Sequence, residues 1–508
     1  MPAAIDCGAV VAVVGSGAMG TGIAQVAAIA GHPVLLFDAH AGAAEEAIEG
    51  IRAALRRLAV KGKLAEADAG AAGARLRPVA ALSALAGAAL VVEAITEHLD
   101  AKRALFAQLE DIVGADCILA TNTSSISVTA IGAGLAWPER LVGMHFFNPV
   151  PLMALVEIVS GLATDPAVAE AAHATALAWG KAPVHAASTP GFVVNRVARP
   201  FYAEAMRVAG EGGGTPATLD AIMRESAGFR MGPFELMDLI GHDVNFAVTA
   251  SVYAGHFNDP RFTPSVMQQE LVNAGFLGRK SGRGFYRYGP GVAAPAPAEE
   301  VPQSPPSRAV VRGGGAWLEA LAARLRDAGV GVHHSPGTGP GCVEAGGVRV
   351  CLTDGRSATR CAHERGQRDL VLVDLAGDFA SVRRVALARA DGCGDGAYAA
   401  AVGLFQAAGV AVSPMADVPG MIAMRTVAML ANEAADAVNQ GIADAAGVDT
   451  AMVKGVNYPK GPLAWADAIG LDRVQDVLRN LGATYGEDRY RVSPLLQRRV
   501  MGRGRFLD

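Results

Sequence analysis

Residues 10–31 read Val10-Val-Ala-Val-Val-Gly-Ser-Gly-Ala-Met-Gly-Thr-Gly-Ile-Ala-Gln-Val-Ala-Ala-Ile-Ala-Gly31: a β-branched apolar run, a glycine turn, a helix of small residues and a glycine stop. The stretch carries no charge, but the glycines inside it argue against a membrane span. Pro33 to Asp38 reads as a second buried strand with an acid at its end. A strand, a glycine turn, a helix and a second strand form the opening unit of a doubly wound parallel sheet. Further strands are expected at 89–95, 117–122, 140–147, 155–159 and 183–187, with helical patterns between several of them.

Gly15-Ser-Gly17-Ala-Met19-Gly20 is a G-x-G-x-x-G turn in the context that gives this motif meaning, between strand and helix. Gly15 permits the tight turn, Gly17 lets a pyrophosphate approach the backbone, Gly20 lets helix and strand pack, and Met19 lies in the same cradle. Asp38 would accept hydrogen bonds from the adenosine ribose hydroxyls and repel a 2′-phosphate, and Ala39 and His40 supply no arginine, so NAD is favoured over NADP. The bland alternative is a glycine turn in a cofactor-free sheet.

The domain plan follows outward from this unit. Residues 1–188 read as the Rossmann-like domain, with a helical arm at about 41–72 carrying Arg52, Arg56, Arg57, Lys61 and Lys63. Helical periodicity takes over at 189–288, a Pro/Ala-rich linker fills 289–307, a small degenerate α/β domain covers 308–413, and a second helical region covers 414–508. The two helical regions are copies: Pro190–Arg196 faces Pro419–Arg425, and Gly232–Asp243 faces Gly461–Asp472, both in one gapless register.

Composition sets outer limits. The 508 residues are 51% hydrophobic and 18% charged, enough apolar material for several cores. Net charge is −5 with no block of like charge, which disfavours a nucleic-acid surface and does not choose a substrate. The six cysteines form no C-x-x-C pair and read as reduced thiols of a cytoplasmic protein. Cys342, Cys351, Cys361 and His363 have spacings that fit no common zinc pattern, so no metal is expected.

Three segments place chemical groups near consecutive strand ends, where open α/β sheets bind ligands: Thr121–Ser125, Gly143–Pro151 and Leu155–Val159. Taken singly, the serines could cap a helix near Ser127 and His145 could be a satisfied core histidine. Glu157 is harder to set aside, since a carboxylate inside Leu-Val-Glu-Ile-Val needs a partner if buried.

GSGAMGTGIAQVAA (15–28), LLFD (35–38), VVEAITE (91–97), TNTSS (121–125), HFFNPVPLMALVEIV (145–159), TPGFVVNR (189–196) and MGPFELMDLIG (231–241) together closely resemble the L-3-hydroxyacyl-CoA dehydrogenase family, in its order, over about residues 9–290. The resemblance implies His145 as base, Glu157 as its orienting glutamate, Ser124 as a substrate-facing serine and Asn195 as an active-site asparagine. It also implies NAD contacts at Asp38, Glu97, Lys102 and Asn122, and an acyl-CoA substrate touching Ser124 and, through its phosphate, Lys61. A CoA-touching serine of the family is Ala54 here. The expected reaction is NAD-dependent oxidation of a (3S)-3-hydroxyacyl-CoA to the 3-oxoacyl-CoA, as in β-oxidation.

Rival readings are a sugar-acid (L-gulonate-type) dehydrogenase of the same superfamily and a catalytically silent structural relative. The related lysine-dependent β-hydroxyacid dehydrogenases are disfavoured because no lysine lies between Lys181 and Lys280. No hydratase-like region precedes the first strand, which points away from the two-activity fatty-acid oxidation protein. Length and duplication resemble the long bacterial form acting on 3-hydroxybutyryl-CoA or, in phenylacetate breakdown, 3-hydroxyadipyl-CoA. The second half should bind no NAD, because Met424 stands where Asn195 stands and Arg312-Gly-Gly-Gly lacks the third fingerprint glycine. Its helical copy is expected to pair with the first as an intrachain pseudo-dimer, with further homo-oligomerisation open; neither nucleic acid nor membrane is expected as a partner.

Overall fold

The computed structural model describes residues 4–337 and 341–507. They form two compact units, 1–196 with 437–456, and 197–436 with 457–508. Residues 437–456 of the helical region from 414 onward lie in the first unit, and the rest of that region lies in the second.

The first unit is built on an eight-stranded sheet of β1 (Val10–Val14), β2 (Val34–Phe37), β3 (Leu76–Val79), β4 (Ala88–Glu93), β5 (Ile118–Thr121), β6 (Leu141–Phe146), β7 (Leu155–Ser160) and β8 (Ala182–Ala187). Their order is β3-β2-β1-β4-β5-β6-β7-β8, and every adjacent pair is parallel except β6–β7. The central strands are buried along almost their whole length, which is why they read as continuous apolar runs. β3 escaped sequence reading because Leu-Arg-Pro-Val carries an exposed arginine and a proline, a composition tolerated only at a sheet edge.

The unit's helices are α1 (Ala18–Ile29), α2 (Ala43–Val60), α3 (Glu66–Arg75), α4 (Leu99–Ile112), α5 (Val128–Gly132), α6 (Pro166–Ala178) and α7 (Val194–Val197). The expected arm at 41–72 is a hairpin of α2 and α3. α2 buries Ala44, Ile48, Ile51 and Leu55, a stripe at helical spacing, leaves Arg56 and Arg57 exposed, and turns Arg52 to the Gly73 carbonyl of α3 at 3.2 Å.

The second unit begins with α8 (Arg199–Gly210), α9 (Pro216–Glu225), α10 (Pro233–Ile240), α11 (His242–Gly255) and α12 (Val266–Asn273). The Pro/Ala-rich stretch 289–307 is extended but tied down: Ala298 N donates to Thr218, Glu300 N to the Val412 carbonyl and Gln303 N to Gln406. A seven-stranded sheet follows, of β9 (Arg308–Arg312), β10 (Gly331–Ser335), β11 (Cys342–Ala345), β12 (Val348–Leu352), β13 (Leu370–Val373), β14 (Arg384–Arg389) and β15 (Ala411–Met415), in the order β10-β9-β11-β12-β13-β14-β15. It is flanked by α13 (Ala316–Asp327), α14 (Ala358–Arg365) and α15 (Asp395–Ala407). The chain then runs through α16 (Ala423–Asn439), α17 (Ala445–Gly455), α18 (Pro462–Ile469), α19 (Leu471–Tyr485) and α20 (Pro494–Met501).

The duplication is wider than the helical region. The register that sets Pro190 on Pro419 carries β6, β7, α6 and β8 onto β13, β14, α15 and β15 at the same starting positions, and α10 onto α18 over its full length. It also carries left-handed backbone at Gly191, Phe192 and Gly241 (φ 79°, 45° and 99°) onto Gly420, Met421 and Gly470 (φ 76°, 54° and 100°). A second register, which sets Val10 on Arg308, carries β1 and α1 onto β9 and α13. Between these two registers, among the described residues, the second sheet lacks counterparts of α2, α3, β3 and α4. Without a helix to carry the chain back, a parallel neighbour is out of reach, so β11 pairs antiparallel with both β9 and β12 and turns at Gly346-Gly347, both with positive φ.

Within the second unit the two helical copies meet. Phe229 lies 5.1 Å from the Tyr458 ring and 5.4 Å from Trp465. Arg425 and Glu204, both fully buried, bond at 2.7 Å, and Tyr490 donates to the same Glu204 oxygen at 3.0 Å. Arg261 bonds Glu433 at 3.1 Å and also Asp436. Within the first unit, α17 packs beside β7 and β8, and Ala187 N donates to the Ile442 carbonyl at 2.8 Å. A Cβ at Gly455 would come within 2.5 Å of Leu155 and 3.2 Å of Val194. A segment of the second copy therefore lies directly behind the strand that carries Glu157.

Candidate active site

The glycine turn between β1 and α1 has the shape its sequence demanded. Gly15 has φ 103°, and a Cβ there would meet the Ala94 carbonyl oxygen at 2.5 Å. A Cβ on Gly20 would meet the Gly15 oxygen at 1.8 Å, so only glycine allows this helix–turn approach. Gly17 faces open space, with nothing within 4 Å of its Cβ position, and no side chain caps α1. Met19 is half-buried in the first turn of α1. Free amides at a glycine-walled opening fit a pyrophosphate.

Asp38 follows β2 and accepts from Ser16 N and Ser16 Oγ, both at 2.7 Å, and from His40 N at 2.9 Å. Burial acts to raise its pKa, but hydrogen bonds from His40 and Ser16 outweigh it and hold the carboxyl at about 2. A permanently ionised acid beside the turn suits ribose hydroxyls and opposes a 2′-phosphate. The chain's own residues thus fit NAD.

His145 and Glu157 are partners across the antiparallel β6–β7 pair. Glu157 Oε2 lies 2.6 Å from His145 Nδ1, with the glutamate fully buried and the histidine nearly so. The other oxygen, Oε1, accepts from Val193 N at 3.0 Å and Val194 N at 2.9 Å. Those amides are aimed by the left-handed turn at Gly191-Phe192, and a non-glycine residue held at φ 45° is strain that the surroundings must maintain. Asn195, half-buried, follows directly. One carboxylate thereby fixes the tautomer of His145 and the start of the helix that bears Asn195. Phe147 and Phe192 flank the imidazole at 4.5 and 5.8 Å.

A second cluster organises the loop after β5. Glu97 Oε1 accepts from Thr123 Oγ1 at 2.7 Å, Ser124 N at 2.9 Å and Ser125 N at 3.1 Å, with Ser124 Oγ 3.4 Å away. Burial works to raise the pKa of Glu97, yet the Thr123 hydroxyl, the Lys102 ammonium and the Ser124 amide hold it below the usual carboxylate range. Lys102 is buried, its Nζ 2.6 Å from Glu93 and 3.3 Å from Glu97. Glu93 also accepts from Thr121 Oγ1 at 2.6 Å. Sequence reading passed over Glu93; an acid ending the apolar strand β4 was the available signal. Asn122 joins the two clusters, its Oδ1 accepting from Phe146 N at 2.9 Å, next in sequence to His145.

Lys61 stands apart at the exposed C-terminal end of α2, and Ala54 is half-buried on that helix. Cys342 and Cys351 are opposite one another across β11–β12 as free thiols. Among the described residues, the grouping with metal-ligand spacing is Glu170, His173 and His185, which the sequence did not suggest; Glu170 already pairs with His185 at 3.2 Å.

In the second half, position 374 corresponds to His145, position 386 to Glu157 and position 424 to Asn195. They hold Asp374, Ala386 and Met424. Asp374 accepts from Ile422 N, Ala423 N and Met424 N at 3.0, 2.7 and 2.9 Å, taking over the amide-holding task of Glu157 with no histidine to orient. Burial raises its pKa to about 6 despite these bonds. The third fingerprint glycine is Leu318, and Asp38 corresponds to Pro336.

Residues 10–189 match the family model for the 3-hydroxyacyl-CoA dehydrogenase NAD binding domain, and residues 191–288 and 420–504 each match its C-terminal domain. Residues 350–419 match a 3-hydroxybutyryl-CoA dehydrogenase reduced Rossmann-fold domain. A protein of Escherichia coli (strain K12) named 3-hydroxyadipyl-CoA dehydrogenase is 45% identical over 97% of both chains. The chain belongs to the 3-hydroxyacyl-CoA dehydrogenase family. A crystal structure of 3-hydroxybutyryl-CoA dehydrogenase from E. coli K12 substr. MG1655 superposes with a TM-score of 0.88 at 44% identity, covering 97% of this chain and 98% of that one. The mitochondrial hydroxyacyl-coenzyme A dehydrogenase of Sus scrofa is 38% identical over 55% of this chain and 90% of its own. Family membership identifies an NAD-dependent oxidoreductase and removes the silent relative from consideration.

Proposed function

We propose that this dehydrogenase oxidises (3S)-3-hydroxyacyl-CoA to 3-oxoacyl-CoA, with His145 as the base that takes the hydroxyl proton. The carrying observation is the 2.6 Å contact between His145 Nδ1 and a Glu157 carboxylate that is itself pinned by two backbone amides. NAD, when bound, accepts the hydride that leaves the alcohol carbon. With Nδ1–H donating to Glu157, Nε2 presents its lone pair to the substrate hydroxyl, and the carboxylate stabilises the imidazolium that forms. Ser124, whose backbone is fixed by Glu97, and Asn195, whose helix start is fixed by Glu157, hold the alcohol and developing carbonyl in line. Lys102 acts here through Glu93 and Glu97 as a positioning residue for the 123–125 loop.

Relatives named for 3-hydroxyadipyl-CoA and 3-hydroxybutyryl-CoA nominate a short acyl chain, with Lys61 on the exposed arm as a CoA-phosphate contact. Assaying 3-oxo C4, C8, C16 and adipyl thioesters with NADH, alongside L-gulonate with NAD, tests the reading. Turnover of gulonate with none of any thioester would replace it by the sugar-acid reading. The helical copies stand, in this reading, as an intrachain counterpart of a dimer, supported by the buried Arg425–Glu204 and Arg261–Glu433 pairs. Among the described residues no helix is long and apolar enough to cross a membrane, and we place the enzyme in the cytoplasm, where its thiols stay reduced.

A further inference from the structure

The second sheet has lost its catalytic residues, yet the strand ends that would face a ligand are not filled. A cavity of about 260 Å³ opens there, between the N-terminus of α13, the segment after β13 and the stretch from Lys460 to Arg473 that includes α18. Its wall was rebuilt relative to the first half. Trp317 stands where Met19 stands, Phe379 for Val150 and Trp465 for Leu236, while Lys460 replaces Met231 and Arg473 replaces Val244. These apolar, non-aromatic positions have become three aromatic and two cationic ones.

Trp317, Phe379 and Trp465 are buried in the wall, with the Trp317 and Phe379 rings 5.8 Å apart. Lys460 and Arg473 make no ion pair and no side-chain hydrogen bond among the described residues; Asp476, one turn on from Arg473, attracts it only through space. Asp378 lines the cavity but is spent on its own turn, accepting from Ser381 Oγ at 2.6 Å and Ala380 N at 2.9 Å. Gly315 gives α13 no side-chain cap, so the positive end of that helix also faces the opening.

We propose that this cavity binds a small organic anion with an aromatic or short-chain apolar body, its charged head on Arg473 and Lys460 and its body on the tryptophans. Two cations without a bonded partner beside an aromatic wall suit a ligand that supplies both the counter-charge and the apolar surface. The volume suits a body of roughly six to eight carbons, below the size of a dinucleotide. The site would bind without chemistry and independently of His145.

The test titrates full-length enzyme, saturated with NADH, with benzoate, hexanoate and phenyl phosphate, and with the neutral amides of the two acids. Binding is followed by tryptophan fluorescence and ligand-observed NMR. Saturable binding of at least one anion is expected, at least tenfold tighter than its amide, unchanged in His145→Ala and weakened at least tenfold in Arg473→Ala. Carboxylate against phosphate affinity identifies the head group. Lys460→Gln, on an exposed position, gives a second variant should Arg473→Ala fold poorly. No saturable binding by any of the three anions, equal affinity for the amides, or full affinity in an Arg473→Ala/Lys460→Gln double variant would overturn the proposal.

Discussion

Asp374 occupies the position of His145 on the matching strand of the second half, and its carboxylate holds the backbone amides that correspond to those Glu157 holds in the first. The amide-holding geometry is retained there, while the His–Glu pair has no counterpart at Asp374 and Ala386. A buried carboxylate that gathers the amides of a left-handed turn is therefore a structural need of this fold. The proposed base, His145, is not part of that need.

His145→Ala should lower turnover by about 10² to 10⁴ and leave NADH binding close to that of the parent, while costing stability because the buried Glu157 Oε2 loses its partner. Glu157→Gln should lower turnover too, and stability by about 1–3 kcal/mol, because an NH₂ must face either His145 or the Val193 and Val194 amides. Steady-state NADH assays read turnover, and cofactor titration reads NADH binding. Near-parent turnover in His145→Ala would end the proposed mechanism.

Cofactor preference should follow Asp38. With its pKa lowered to about 2 from 3.8, the carboxylate is ionised at every workable pH, so the ratio of NAD to NADP efficiency should stay flat through the neutral and mildly alkaline range. Asp38→Ala should reduce that ratio. A ratio that changes with pH there, or one untouched by the substitution, would displace Asp38 from this role.

Calorimetry should count one NAD per chain. Leu318 fills the third glycine's place, and Pro336 that of the ribose-binding acid. Two equivalents would contradict this reading of the second half.

Asp374 should leave a signature in the pH dependence of stability. Its folded pKa, about 6, lies above the ordinary value of 3.8, so the native state binds the proton more tightly than the unfolded chain. The stabilisation is fully present below about pH 4 and is lost as pH rises through about 6, a fall of about 2 to 3 kcal/mol. Asp374→Asn should flatten that segment of the curve; parallel parent and variant curves across it would refute the assignment.

Removing residues 301–508 should leave a fragment that self-associates or aggregates. Glu204 would lose Arg425 and Tyr490, Arg261 would lose Glu433 and Asp436, and the Phe201–Phe229 face would lose Tyr458 and Trp465. An uncompensated buried charge typically costs about 3–5 kcal/mol. Light scattering reads the outcome, and a monomeric, fully active fragment would contradict it.

The glycine turn, the acid after β2 and the strand carrying Glu157 were legible in the chain because each is a local demand: a φ only glycine adopts readily, a carboxylate that must be paired, an apolar run that must be buried. The copying of 190–196 and 232–243 was legible as residue identity. Its extension to β6–β8 was not, because Leu-Val-Leu-Val-Asp at 370–374 shares shape but little identity with Leu-Val-Gly-Met-His at 141–145. Only backbone register exposed it.

By itself, then, the sequence determined the dinucleotide fold, which rests on short-range sterics, and marked Glu157 as a carboxylate that burial obliges to find a partner, while His145 as the proposed base was implied by the family resemblance. Tertiary structure alone decided that Glu157 serves His145 and two amides at once, that Lys102 is spent on Glu93 and Glu97, and that α17 of the second copy backs the first sheet. Such relationships depend on which distant segments share a dry interior, where every donor must find an acceptor, and spacing along the chain carries no record of that.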